Sequence, residues 1–330
     1  MKNFFRTLFS NQIGRIRYAA WEWAIIRVGF AFTVWFATWH TWRPWAVDIH
    51  DHYDIERANG LPSLIDLSWI GQPIPTFVVA GLTILLLVIY GAGRWMLVTT
   101  WLLFLIQAIV GGIHSSPMGS HHATQVVALV LLGQAAWFTW EKLRPKRFAD
   151  TGLDRSSGAI FWSQQMICAG YMISAVSKWV NSGGGIIPGA RWVNQLPNIA
   201  VQFEKNRLQA YYDNLQTPVS TETNQWAIDL LLHQPAMMMF FLALGFYIEL
   251  LAFLTLFNRA SALLVGVGLM SLHAFIFTIM NLPFYYFEAV DFLFFVNLPF
   301  WIALIAGKRK LLSNDPALTH VGESRSLMQG

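Results

Sequence analysis

Charge is scarce in this chain of 330 residues: Asp, Glu, Lys and Arg together make up 12% of it. Cysteine is scarcer still. Cys168 is the only one, so an intrachain disulfide, a CxxC pair and a Cys-rich metal site are all excluded, and the redox compartment goes unread. There is no Gly-rich phosphate loop, no Ser-His-Asp order and no internal repeat. The segment from Met1 to Ala20 lacks the apolar core and small-residue cleavage site of a signal peptide, so the first span is expected to serve as an uncleaved signal anchor. A single folded basic patch is missing as well. The net charge of +4 and isoelectric point near 9.2 arise from short juxtamembrane runs, which excludes nucleic acid and points to anionic membrane lipid.

What is present is apolar surface. Hydrophobic residues make up 55% and the mean hydropathy is +0.45, more than one buried core requires, so lipid must solvate much of the molecule. Sixteen Trp and nine Tyr suit a membrane interface, where a ring buries its body and keeps its polar edge wet; Trp39, Trp42 and Trp45 read as such a belt. Runs long enough to cross about 30 Å of hydrocarbon occupy Trp21–Trp42, Thr76–Tyr90, Met96–Ile113, His122–Trp140, Ile160–Lys178, Ala236–Phe257, Ala260–Met280 and Pro283–Ala306. The expected fold is therefore all-α, a polytopic membrane helix bundle of about eight transmembrane helices with structured outer loops. A cytoplasmic segment 1–20 precedes a transmembrane domain 21–306, and a cytoplasmic tail 307–330 follows it. The outer loops fall at 43–75 and 179–235. The second contains Gly183–Gly185 and then Trp192, Ile199, Phe203, Tyr211 and Trp226 among polar residues, a pattern for interfacial helices.

Lys and Arg set the orientation, because cytoplasmic loops retain them during insertion. With the N-terminus inside, fifteen of the 22 fall inside and six outside (Arg43, Arg57, Lys178, Arg191, Lys205, Arg207), and Arg27 lies within the first span. Both termini are thus expected in the cytoplasm of an inner or plasma membrane.

Charges inside a bilayer cost at least ~2.5–3.5 kcal/mol each on insertion scales, so Arg27, Glu249, Glu288, Asp291 and His273 need a reason. Depths counted from the span ends suggest a structural ion pair between Arg27 and Glu249. Histidines gather on the outer side, among them His40, His50, His52, His114, His121, His122 and His273. A neutral imidazole accepts a proton or binds a metal, although a hydrogen-bonded structural role is the commoner one. His121 and His122 open the fourth span after Ser120, where the positive end of a helix dipole favours a neutral ring. Lys178 lies one turn beyond Ser174 and two beyond Gly170, a small-residue face on which an amine is either desolvated into a base or snorkels to the interface. A metal site would have to use His114, His121 and His122, a loose spacing that makes a weak ligand set.

The order of these landmarks resembles the transmembrane domain of the vitamin K-dependent γ-carboxylase, the HTTM family, from Trp21 to about Phe295. The resemblance rests on Arg27 in the first span, on Asp54-Ile55-Glu56-Arg57-Ala58-Asn59-Gly60-Leu61-Pro62, and on Gly119-Ser120-His121-His122. It rests further on Tyr171-Met172-Ile173-Ser174-Ala175-Val176-Ser177-Lys178-Trp179 with Arg191-Trp192 downstream, and on Ser271-Leu272-His273-Ala274-Phe275. It implies that Lys178 is similar to the lysine base that deprotonates a hydroquinone, that His121 or His122 and His273 are similar to the family's site histidines, and that a quinone or hydroquinone is the cofactor or substrate. The chain departs from the family in its Gly183–Gly185 insertion and in ending after the membrane domain, which argues against peptide carboxylation. Fold similarity alone does not carry function.

Two readings of different kind stay open. In one, an oxidoreductase or carboxylase-like lyase uses catalytic Lys178, His121, His122 and His273 on an apolar, quinone-like small molecule. In the other, a non-enzymatic scaffold binds a membrane or extracytoplasmic protein partner through the outer loops. A transporter would use Glu249 and Asp291 for protons.

Overall fold

The apolar runs fold as helices, and no strand occurs among the described residues. The structure, a computed structural model, describes residues 10–52, 64–115, 124–146, 151–181, 208, 221–280 and 283–307, with backbone alone for 39–52, 68, 113–115, 221–224, 227, 231, 235, 238 and 279–280. In chain order the helices are α1 (Ala20–His52), α2 (Pro73–Gly91), α3 (Met96–Ser115), α4 (Gln125–Leu143), α5 (Arg155–Asn181) and α6 (Thr221–His233). Then come α7 (Pro235–Leu250), α8 (Arg259–Met280), α9 (Tyr285–Asp291) and α10 (Leu298–Ile305). A 3₁₀ helix over Ala252–Leu256 links α7 to α8, and a π turn over Phe292–Val296 links α9 to α10.

Among the described residues, four stretches are both long and apolar enough to cross a membrane: Pro73–Gly91, Gln125–Leu143, Arg259–Thr278 and Tyr285–Ile305. This is fewer than the eight runs read from the sequence, for two reasons. α1 and α5 have 33 and 27 residues, length enough, but α1 carries Glu22 and Arg27 and α5 buries Ser157, Ser163 and Gln164, so their apolarity falls short. Met96–Gly112 and Met239–Leu250 are apolar but shorter. Boundaries also move: α1 continues to His52, past the expected end at Trp42, and α6 supplies one helix inside the 179–235 segment.

The surface is inverted relative to a protein that folds in water. On α2, Phe77, Val78, Leu85 and Val88 face outward, whereas Thr83 turns inward and donates to Val79 O at 2.7 Å. Apolar groups outside and polar groups inside are what a lipid solvent selects, because a polar group facing hydrocarbon has no partner. The interior polar groups therefore bond across helices. Tyr90 Oη donates to Gln134 Oε1 at 2.8 Å and Gln134 Nε2 to Ser163 Oγ at 3.1 Å, which ties α2, α4 and α5 together. Gln107 donates to Thr38 Oγ1 and joins α3 to α1. Between α4 and α5 the backbones approach through glycine: a Cβ on Gly158 would stand 1.8 Å from the Trp137 ring, and one on Gly133 would stand 2.8 Å from Trp162 O.

One end of the bundle is locked by a charge. Asn258 caps α8 by accepting the Ala260 and Ser261 amides at 3.0 and 2.9 Å. The next residue, Arg259, forks onto both Glu22 oxygens at 2.8 and 3.1 Å, and its guanidinium stacks on Tyr18 and Phe300. Glu22 also accepts from Asn297 Nδ2 at 2.7 Å and from the Ala19 amide at 2.9 Å, so four donors satisfy one buried carboxylate. Asn297 reaches it because a left-handed backbone, φ 45° and ψ 55°, stops the π turn there. Asn is among the few residues with a side chain that accept that conformation.

Candidate functional site

Toward the other end, six polar side chains from four helices meet inside the bundle. Lys178 of α5 donates to Glu249 of α7 at 2.7 Å to Oε1 and 2.5 Å to Oε2, and Ser174, one turn below, donates to Oε2 at 3.4 Å. The Glu249 side chain is 8% exposed and that of Lys178 28%. One helical level away, Tyr171 Oη donates to Asp291 Oδ2 at 2.6 Å, both groups buried. His273 of α8 lies against this pair. Its ring stacks on Tyr171 at 5.8 Å and on Phe284 at 4.9 Å, and it meets Phe287 edge-on. Tyr171 and Ser174 stand one turn apart on α5, which sets the His273 ring one level from the ion pair.

Helix directions explain the meeting of Lys178 and Glu249. Side chains lean toward the N-terminus of their own helix. α5 and α7 run in opposite directions, so Lys178 leans back along α5 while Glu249 leans toward it from near the end of α7. The 3₁₀ segment after Leu251 covers about 2 Å per residue where an α-helix covers about 1.5 Å, which keeps Glu249 higher in the bundle than a continuous helix would. Below it, Cys168 sits against Ala252 O at 3.3 Å and Thr255 Oγ1 at 3.1 Å, a small apolar plug under the charged pair.

The expected Arg27–Glu249 pair does not form. Ser157, bonded to the Tyr18 amide, marks the base level of α5 beside the start of α1. At 1.5 Å per residue Arg27 stands about 10 Å above Ala20, and Ser174, which touches Glu249, about 25 Å above Ser157, so the two charges are roughly 15 Å apart in height. Arg27 instead donates Nε to Gly91 O at 3.1 Å, at the C-terminal end of α2, and lies by the Trp23 ring. A cation at a helix C-terminus complements the carbonyl dipoles there.

Lys178 and His273 thus share one region, and the lysine there faces a carboxylate, a partner that neither the desolvated base nor the snorkelling amine expected of it included. His121 and His122 lie outside the described residues, as does the side chain of His114, and with them the metal alternative. Among the described residues no group of three His, Cys, Asp or Glu could hold a metal ion. Glu288 occupies the first turn of α9, where the helix N-terminus favours an acid. Comparison with known protein families, curated proteins and solved structures gave no match.

Sequence reasoning missed two things. Glu22 went unremarked, although an acid three residues after a helix start is a capping signal, and here its Oε1 returns to the Ala19 amide. The Tyr171–Asp291 bond was also missed, since nothing in the spacing of 120 residues announces it. A π turn directly after Asp291 is the local irregularity that accompanies it, and such turns recur at functional sites.

Proposed function

We propose that this protein is a membrane-embedded helical bundle of the vitamin K-dependent γ-carboxylase-like type that takes a proton from an apolar, quinone-like substrate at the Lys178–Glu249 pair. It spans the membrane eight times with both termini in the cytoplasm, and the site faces the outer leaflet. One observation carries the reading. His273 Nδ1 and Asp291 Oδ1 are both buried with no hydrogen-bond partner among the described residues, and they stand in the same cluster as the ion pair. Unpaired buried polar atoms are costly, and a bound hydroxyl or carbonyl removes that cost. Stacked Phe284, His273 and Tyr171 supply flat apolar faces for a planar ring.

The chemistry divides the roles of the pair. When a hydroquinone O–H bond breaks, the proton goes to a Glu249 oxygen and the bonding electrons remain on the substrate oxygen. The Lys178 ammonium then faces that oxyanion. His273 and Tyr171 hold the ring and its second oxygen. Lys178 thereby serves as the charge that makes deprotonation favourable, with Glu249 as the acceptor.

The test is binding of a naphthoquinone to the protein in nanodiscs, followed by tryptophan quenching, for wild type, His273→Leu and the double variant Lys178→Met with Glu249→Gln. The double variant strands no charge and is expected to fold. At least tenfold weaker binding in it and in His273→Leu supports the site. Unchanged binding in both assigns the cluster to helix packing alone and returns the scaffold reading.

A further inference from the structure

We infer that the groove between α1 and α2 holds an acyl chain of an anionic phospholipid, whose phosphate pairs with Arg27 and Arg94. The groove encloses about 410 Å³ and is lined by Val28, Ala31, Phe32 and Trp35 of α1 facing Ile84, Leu87, Val88 and Gly91 of α2. On each helix these positions fall three, four and seven apart, one continuous stripe about 10 Å long. The Trp35 indole N–H is the one polar side-chain group among these eight residues, so the length of the groove suits hydrocarbon.

Its foot differs from its walls. Gly91 ends the stripe, and Arg27 stands beside it, with one nitrogen committed to Gly91 O. The other two guanidinium nitrogens stand about where a Cβ on Gly93 would lie, at 2.8 and 3.0 Å from that point, beneath the turn that leads to Arg94. Gly93 has φ +73°, so glycine both makes the turn and leaves the guanidinium uncovered. Among the described residues Arg27 has no carboxylate partner, and Glu22, the acid nearest to it in sequence, is committed to Arg259 and Asn297. Residues 84–101 contain one arginine, Arg94, and no Asp or Glu. Trp95 is exposed at the same level and suits a headgroup region. An apolar slot ending at two cations matches a lipid with a chain and a net negative headgroup, since the quaternary ammonium of a zwitterionic lipid adds a further positive charge beside them.

Purified protein is washed in mixed micelles with equal phosphatidylglycerol and phosphatidylcholine, and the retained lipid is measured by native mass spectrometry. Wild type is expected to prefer phosphatidylglycerol, and Arg27→Gln to lose about fivefold of that preference, the effect of one interfacial cation near ~1 kcal/mol. Ala31→Phe, which fills the slot and leaves the charges, is expected to lose retention of both lipids. Arg27→Lys, which keeps the charge, is expected to retain most of the preference and covers the case in which Arg27→Gln does not fold. Equal retention of the two lipids by wild type, an unchanged preference in Arg27→Gln, or unchanged retention in Ala31→Phe overturns the inference.

Discussion

Replacing the two members of the Lys178–Glu249 pair one at a time is expected to give unequal losses of stability. Lys178→Met leaves the Glu249 carboxylate with 8% of its side chain exposed and only Ser174 Oγ, at 3.4 Å, as a donor. Breaking a buried pair from one side costs about 3–5 kcal/mol, so this variant is expected to lose about 3 kcal/mol. Glu249→Gln leaves Lys178, whose side chain is 28% exposed and carries a long flexible stem, able to swing its ammonium toward the interface. The loss there is expected to be about 1 kcal/mol, nearer the value of an exposed pair. The double variant strands no charge, so it should lose far less than the sum, with a coupling of about 2–3 kcal/mol. Reversible unfolding of the four proteins in mixed micelles measures the cycle. A larger loss for Glu249→Gln than for Lys178→Met, or losses that simply add, would refute the burial argument.

Three further outcomes follow from the packing. Glu22→Gln strands Arg259 in the bundle and is expected to cost about 3 kcal/mol or more, while Arg259→Lys should not rescue full stability, because an ammonium cannot fork onto both oxygens; thermal midpoints check both. Gly158→Ala must displace the buried Trp137 ring and is expected to lose about 1–3 kcal/mol, read by the same unfolding assay together with a shift in tryptophan emission. In a Cys168→Ser background, cysteines introduced at Arg144 and Lys310 are expected to be labelled from the cytoplasm and those at Asn194 and Asn214 from the opposite side, and the reverse pattern overturns the orientation.

The helical class, and the position of most helices to within a few residues, could be read from composition and run length alone. Apolar runs such as Pro73–Gly91 and Arg259–Thr278 have one way to satisfy their backbone in hydrocarbon, and that constraint is local. The same reasoning marked Arg27, Glu249, Glu288, Asp291 and His273 as groups needing a reason, because the cost of a charge in lipid depends on residue type and depth. Which partner each one takes is not a local property. Arg27 and Glu249 looked level when spans were counted as straight helices, yet the 3₁₀ break after Leu251 and the opposed lean of side chains on α5 and α7 bring Glu249 to Lys178 and leave Arg27 to the carbonyl of Gly91. The Tyr171–Asp291 bond and the four-donor shell of Glu22 depend likewise on how helices distant in sequence rotate against one another. That rotation is set by shape at contacts such as Gly158 on Trp137, where two side chains compete for the same few ångströms, and only the assembled bundle decides it.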